Sequence, residues 1–273
     1  LREIEWSPSR TGLINPIAVF DPVELEGTTV SRASVHNVSI VKELQLGIGD
    51  TIQVYKANMI IPQIAENLTR SGKLEIPHIC PVCGQEAKII QENEVESLYC
   101  MNPDCVAKKI KAFTLFVSRD AMNIDGLSEA TLEKFIAKGF IHDFGDIFEI
   151  AKYRDEIVGM DGFGEKSFDN LMANIEKAKE TVPAKVLYSL GIANIGLSNA
   201  KVICRHFEDD LAQIRNAKEE EVGAIDGIGP VIARSLIKYF EDPDNNRRLD
   251  HLLRYLHINK EEISKNQTLA GMN

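Results

Sequence analysis

The sequence predicts a multidomain chain: a small all-β barrel over residues 1–75, a four-cysteine metal module over 76–107 and an all-α domain over 108–257. Three observations point there. Strand-like alternation with turn signals fills the first segment, and four of the five cysteines fall in two short pairs. A glycine-centred core then recurs four times, each time just ahead of a helical pattern.

The bulk numbers suit a globular protein of two or three domains. The chain has 273 residues, 44% of them hydrophobic and 26% charged, which is ordinary for folded soluble domains. It begins with Leu and ends on "TLAGMN", so it reads as a piece of a longer protein. No apolar run approaches the ~20 residues of a membrane span, and no signal-peptide pattern is present. A cytoplasmic location and no membrane partner are expected. The formal charge of -10 argues against a uniformly basic coat. It leaves room for a local basic face, since binding depends on where charge sits. "KKIKAF" (Lys108 to Phe113) and "NNRRLDHLLR" (Asn245 to Arg254) are two such clusters, and each reads equally well as a solvated helix face.

Residues 1–75 read as strands. "GTTVSRASVHN", from Gly27, packs Thr, Val and Ser closely together. In "LGIGDTIQVYKANMIIP", a Gly49-Asp50 turn leads into alternation of Ile52 and Val54 with Thr51 and Gln53. Short strands punctuated by turns imply a small barrel. From about Lys108 the period changes: Val106, Ile110, Phe113 and Val117 recur at helical spacing. In "LSEATLEKFIAKG", Ser128 is the expected N-cap and Gly139 the expected stop. "INKEEISKNQT" (Ile258 to Thr268) reads as a polar linker, the first part of a closing segment over 258–273.

The cysteines run Cys80-x2-Cys83, sixteen residues, then Cys100-x4-Cys105. Two short pairs separated by a hairpin-length stretch can close a tetrahedral zinc site of four thiolates. The competing reading, two disulfides or four free thiols, suits a cytosolic chain less well. A four-thiolate site has no open position, so the expected zinc is structural. Cys204 reads as a small buried apolar residue.

The glycine core appears as "NIDGLSEATLEKF" from Asn123, "GMDGFGEKSFDNL" from Gly159, "GIANIGLSNAKVI" from Gly191 and "AIDGIGPVIARSL" from Ala224. Three readings compete. A nucleotide-binding loop is one, but Glu165 interrupts the Gly-Lys-Ser of a P-loop, and Ser167 and Ile232 stand where a dinucleotide fingerprint needs glycine. Plain helix capping explains single glycines but not an apolar residue held between two small ones. A helix-hairpin-helix explains both. Its glycines turn the chain at positive φ, its apolar residue (Leu127, Phe163, Ile195, Ile228) points inward, and its helix N-terminus offers N–H groups to a phosphate. The expected DNA contacts are Gly126, Ser128, Gly162, Gly164, Lys166, Gly196, Gly227 and Gly229. Such contacts read backbone and not base sequence.

A barrel, a four-cysteine module and four such hairpins, in that order, resemble the C-terminal part of bacterial NAD-dependent DNA ligases. "SRTGLINPIAVFDPVELEGTTVSRASVHN" resembles that family's OB-fold opening, with Ser9, Asn15 and Ile17 departing from its usual Gly, Thr and Val. "YKANMIIPQI" resembles a second family segment, with Asn58 and Met59 in place of Gly-Asp. "FVSRDAMNIDGL" and "VLYSLGIANIG" are also similar, and "LAGMN" resembles the start of a truncated BRCT domain.

The resemblance implies an OB-fold for 1–75 and a role in sealing nicks in duplex DNA. In the family, AMP passes from NAD through a lysine to a nicked 5′-phosphate, with magnesium assisting. That lysine lies in Lys-x-Asp-Gly. Here Asn123, Gly159 and Ala224 precede Asp125, Asp161 and Asp226 by two, so no catalytic residue is assigned to this chain. NAD and magnesium belong to the full-length enzyme, and this chain should not ligate alone. It is expected to clamp nicked double-stranded DNA as a monomer, without sequence preference. The OB-fold contacts implied are Arg10 and Thr11 on phosphates, Lys56 on the backbone, and Ile60 and Ile61 against sugar and base edges. Without the family, Ile60 and Ile61 read equally well as strand core. The zinc module is expected to brace barrel against hairpins, and His36 is expected to be structural. The alternative from another class is a non-catalytic helix-hairpin-helix module of another DNA repair or recombination protein. A zinc-held interaction scaffold is a weaker one.

Overall fold

The computed structural model describes residues 1–259. These form two compact units, Leu1–Lys111 and a second beginning at Ala112. The expected architecture is present: an OB-fold sheet, a clustered set of four cysteines and a helical hairpin region.

The first unit contains β1 (Glu3–Pro8), β2 (Leu13–Leu25), β3 (Thr28–Ser34), α1 (Val38–Glu43), β4 (Ile52–Ala57), β5 (Ile61–Asn67), β6 (Ala87–Glu92) and β7 (Val95–Cys100). Their sheet order is β4-β5-β3-β2-β7-β6, with β1 also on β2. All pairings are antiparallel except β3 with β5. β2 is the hub. Ile14, Pro16, Ala18 and Phe20 are buried while the residues between them are half-exposed, the period of two that a one-sided strand requires. At 13 residues it is long enough to share one edge. β3 takes Ile17 to Leu25, and β7 takes Leu13 and Ile14. A register shift between Val19 and Val23 bends the strand. The barrel core holds Ile4, Ala18, Phe20, Val30, Ala33, Val35, Val41 and Leu46.

Two features differ from the sequence expectation. Helix α1 interrupts the segment read as strands. Its β-branched Val38, Ile40 and Val41 look like a strand, but Asn37 caps the helix by accepting from the Ile40 N–H at 3.0 Å. The cysteine hairpin β6–β7 also continues the barrel sheet. Lys42 pairs with Glu96 at 2.6 Å and the Ser39 hydroxyl accepts from the Glu96 N–H at 2.8 Å, which ties the hairpin to α1.

Helix α2 (Val106–Val117) follows. The second unit has α3 (Glu129–Ala137), a 3-10 helix (Phe144–Tyr153), α4 (Arg154–Val158), α5 (Glu165–Ala178), β8 (Glu180–Thr181), α6 (Pro183–Ser189), α7 (Leu197–His206), α8 (Leu211–Asn216), α9 (Glu219–Gly223), α10 (Pro230–Glu241), α11 (Pro243–Leu253) and β9 (His257–Ile258). One apolar core joins them. In α5 the buried stripe is Phe168, Leu171, Ile175 and Ala178, close to helical periodicity. Each large member contributes about 1.5–3 kcal/mol by leaving water, and Leu171→Ala would cost about 2–5 kcal/mol through the cavity it leaves. Ser128 caps α3 through the Thr131 N–H, and Gly139, at φ +72°, follows its C-cap. Cys204 is buried in the core. The chain does not turn to linker at residue 258: β9 pairs in parallel with β8, and the Asn259 N–H donates to the Thr181 carbonyl at 2.8 Å. The rest of the expected linker and BRCT start, 260–273, lies outside the described residues.

Candidate nucleic-acid interface and metal centre

The four hairpins share one frame. Each opens on a buried apolar residue: Ile124, Met160, Ile192 or Ile225. Two residues on, the backbone enters the left-handed region at Gly126 (φ +99°), Gly162 (+84°), Asn194 (+64°) and Gly227 (+81°). Asn194 is the substitution expected there, since Asn tolerates this region better than other side chains. Leu127, Ile195 and Ile228 follow and are buried; Phe163 is half-buried. Turn bonds close three of the hairpins, from Phe163 N to Met160 O at 3.0 Å, Ile195 N to Ile192 O at 3.2 Å and Ile228 N to Ile225 O at 2.9 Å. Positive φ at the third position makes these type II-like turns.

The next residue is the helix N-cap: Ser128, Gly164, Gly196 or Gly229. The positive φ expected of the hairpin glycines does not extend to these caps: Gly164, Gly196 and Gly229 have φ of -160°, -83° and -81°, which any residue adopts. A Cβ at any of the three would meet nothing within 4 Å. The fold therefore does not require glycine there. What glycine does is leave the helix N-terminus bare: these three helices have no side-chain cap. In α5 and α7 the first-turn N–H groups lack intrahelical acceptors; in α10 Pro230 has no N–H and the Ile232 N–H bonds the Gly229 carbonyl at 3.1 Å, which leaves that of Val231. All three N-termini carry the positive end of the helix dipole. Hairpin 1 differs. Its Ser128 hydroxyl accepts from the Thr131 N–H at 3.2 Å and lies 2.9 Å from the Thr131 hydroxyl, so one donor is already used.

Side chains from neighbouring helices reach the turns. Asn174 of α5 donates to the Asp125 carbonyl at 3.1 Å, and Lys134 of α3 donates to the Asp161 carbonyl at 3.2 Å. Asn194 of hairpin 3 donates to the Ser235 hydroxyl of α10 at 3.0 Å. Sequence reasoning missed Lys134 and Asn174, because nothing local marks contacts across 27 and 49 residues. Lys166 is exposed in the first turn of α5, two residues beyond Gly164. The two basic clusters are largely committed elsewhere. Arg247 and Arg248 pair with Asp244 at 2.7 and 2.6 Å, and Lys108 donates to the Cys100 carbonyl at 2.9 Å.

In the first unit the expected contacts occupy two separate turns. Arg10 and Thr11 are exposed between β1 and β2, and the Thr11 hydroxyl lies 3.0 Å from that of Ser9. The β4–β5 turn carries the others. Asn58 and Met59, the two departures from the family segment, both have positive φ, +51° and +60°, and the Ile60 N–H bonds the Ala57 carbonyl at 3.1 Å. That is the type I′ pattern of tight hairpins. Lys56 donates to the Thr28 hydroxyl at 2.5 Å. Met59, Ile60 and Ile61 are 78%, 77% and 50% exposed, so Ile60 and Ile61 are not strand core. They form an apolar tip.

The four cysteine sulfurs lie within 4.8 Å of one another, and Cys83 Sγ to Cys100 Sγ is 3.6 Å. A tetrahedral zinc with bonds of ~2.3 Å places sulfurs ~3.8 Å apart, so the set fits the ion, whereas a disulfide needs ~2.05 Å. Cys80 N–H donates to the Gln85 carbonyl at 2.7 Å, and Gly84 N–H to the Cys80 carbonyl at 2.9 Å, which form the first knuckle. Burial pushes the Cys100 thiol up to about 12 and raises that of Cys105. At Cys83 burial pushes the same way, but hydrogen bonds from Gln85, Asn102, Cys100 and Cys80 outweigh it and leave this thiol at about 6. Four thiolates this close together, three of them buried, would repel, and a divalent cation removes the conflict. The cysteine cluster also holds the β1–β2 turn: Cys100 N–H donates to the Gly12 carbonyl at 2.8 Å, next to Thr11.

A second group, Asp143, Asp146 and His251, is engaged internally. His251 Nδ1 lies 2.7 Å from Asp143 Oδ1, and Asp146 accepts from the His142 and Asp143 N–H groups at 2.7 and 3.0 Å. These bonds cap the 3-10 helix and latch it to α11.

The sheet, the thiolate cluster and the repeated turns define a chain of the OB-fold and helix-hairpin-helix class. Residues 1–75 match the NAD-dependent DNA ligase OB-fold domain, and 185–249 match the helix-hairpin-helix motif. Over 264 residues the chain is 60% identical to a DNA ligase of Lachnoclostridium phytofermentans, covering 97% of this chain and 40% of that protein. Over 269 residues it is 58% identical to a DNA ligase of Ruminiclostridium cellulolyticum, covering 98% and 41%. The chain is similar to these DNA ligases along nearly all of its own length and spans about 40% of theirs.

Proposed function

We propose that the chain is the DNA-clamping portion of a ligase that uses NAD to seal nicks, acting in the cytoplasm on chromosomal DNA. The observation that carries this reading is the set of bare helix N-termini behind Gly164, Gly196 and Gly229, open to approach and needed by no feature of the fold. Each can hold a phosphate oxygen through N–H groups aided by the dipole. Contacts of this kind read the sugar-phosphate backbone and not the base edges, so binding is independent of sequence.

In this reading Gly126, Gly162 and Gly227 shape the turns, and Lys166 adds charge at hairpin 2. Arg10, Thr11 and Lys56 hold phosphates at the barrel, while Ile60 and Ile61 press into the minor groove as apolar wedges do. Zinc on Cys80, Cys83, Cys100 and Cys105 fixes β7 and, through Gly12, the Arg10–Thr11 turn. The nucleotidyl lysine, the NAD site and the magnesium chemistry belong to the remainder of the ligase, so the chain alone binds and does not join ends.

Fluorescence anisotropy with nicked, intact and single-stranded DNA tests the proposal. The chain should bind as a monomer, prefer nicked duplex, and lose affinity with salt at a log–log slope of roughly -3, set by about three cationic contacts. No binding of nicked duplex even at low salt would overturn it.

A further inference from the structure

We propose that Asn174 and Lys134 are positioning residues that aim the turn peptides of hairpins 1 and 2 at the nucleic-acid backbone. The inference rests on the reading of the hairpins as phosphate clips.

The peptide in question joins Asp125 to Gly126 in hairpin 1 and Asp161 to Gly162 in hairpin 2. A trans peptide carries its C=O and N–H in opposite directions. Fixing the carbonyl therefore fixes where the N–H points. Asn174 holds the Asp125 carbonyl at 3.1 Å and Lys134 holds the Asp161 carbonyl at 3.2 Å. Both act at the same turn position, the residue before the left-handed glycine. The N–H groups of Gly126 and Gly162 are thereby turned away from these helices.

The lock is needed because the turn residue is glycine. Glycine adopts positive and negative φ about equally, so a type II turn can flip its central peptide to type I, reversing both groups. In hairpin 3 the left-handed residue is Asn194, and the bonded carbonyl is its own, one position later, which accepts from Asn199 of the same hairpin's helix at 3.2 Å. Among the described residues, a side chain from another hairpin's helix holds the turn carbonyl before the left-handed residue only in hairpins 1 and 2.

The two braces are reciprocal. α5 leaves hairpin 2 and braces hairpin 1; α3 leaves hairpin 1 and braces hairpin 2. Leu171 of α5 also lies 3.5 Å from where a Gly126 Cβ would be, so α5 packs directly on the first turn. The pair of hairpins is thus preorganised as a unit, and ordering costs are met before DNA arrives.

The test uses Asn174→Leu, Lys134→Met and Lys134→Arg in the whole chain, with nicked-duplex binding and amide hydrogen exchange at Gly126 and Gly162. Asn174→Leu should weaken binding about threefold to tenfold and speed exchange at Gly126, leaving Gly227 unchanged. Lys134→Met should do the same at Gly162, with the slope of log Kd against log salt unchanged, and Lys134→Arg should restore binding. A slope smaller by about 0.9 in Lys134→Met would overturn the assignment for Lys134, since it marks loss of a direct phosphate contact. Unchanged Kd in Asn174→Leu and Lys134→Met overturns the proposal whatever the exchange shows. Failure of the parent chain to bind nicked duplex would instead remove the phosphate-clip reading beneath it.

Discussion

Replacing Gly229 by Asp separates the two jobs a hairpin glycine can do. The position has φ -81° and ψ 168°, and a Cβ there meets nothing within 4 Å. Asp is a better N-cap than Gly by a few tenths of a kcal/mol, and a carboxylate at a helix N-terminus adds about 0.3–1 kcal/mol. The variant should fold as well as its parent, or slightly better. Binding moves the other way. A carboxylate ~5 Å from a phosphate costs about 0.8 kcal/mol at the dielectric of water and about 3 kcal/mol at an effective value of 20. That is roughly a fourfold to two-hundredfold rise in Kd. Pro230 has no N–H and the Ile232 N–H already bonds Gly229 O at 3.1 Å, so the new carboxylate also takes the Val231 N–H from the phosphate. Anisotropy on nicked duplex, paired with thermal denaturation, reads both quantities. Gly229→Asn, neutral and equally good as a cap, should lose less affinity than Gly229→Asp. Unchanged binding in Gly229→Asp would refute the phosphate-clip reasoning; a fall in Tm of several degrees would show the glycine to be structural after all. Gly164→Asp should behave like Gly229→Asp.

Four further outcomes are expected. Cys83→Ser should lose zinc by metal analysis of the purified chain, and faster amide exchange at Gly12 and Thr11 should show the turn loosened through the Cys100–Gly12 bond. Ile60→Ala should change stability by no more than ~0.5 kcal/mol, as expected for an exposed site, yet weaken binding of nicked duplex. Met59→Gly should stabilise the first unit by about 1 kcal/mol in denaturant unfolding, because a non-glycine residue at φ +60° is strained. Glu149, held by Lys152 and then by the Tyr255 hydroxyl, sits at about 2 against 4.5. Its folded value is lowered, so its stabilisation is present above pH ~4.5 and is lost as pH falls toward 2. Glu149→Gln should flatten that acid limb in thermal melts of the chain.

The clustering of the four cysteines was legible because their spacing is a local property, Cys80-x2-Cys83 and Cys100-x4-Cys105 each being a short pair. The hairpins were legible because each repeats a five-residue frame whose turn, apolar anchor and cap position are neighbours in sequence. Helix α1 was not, because Val38, Ile40 and Val41 favour strands and only the Asn37 cap and burial of Val38 and Val41 favour the helix. Ile60 and Ile61 could not be assigned to core or surface from "ANMIIP", since exposure depends on where the β4–β5 turn projects. The sequence by itself determined the order of modules, the thiolate set and the four turns. Tertiary structure decided that the cysteine hairpin extends the barrel sheet through β2. It decided too that Gly164, Gly196 and Gly229 lie outside the left-handed region with open space beside them, and that Asn174 and Lys134 reach across to hold another hairpin's carbonyl. Those outcomes depend on which surfaces meet in space, which short-range residue preference does not encode.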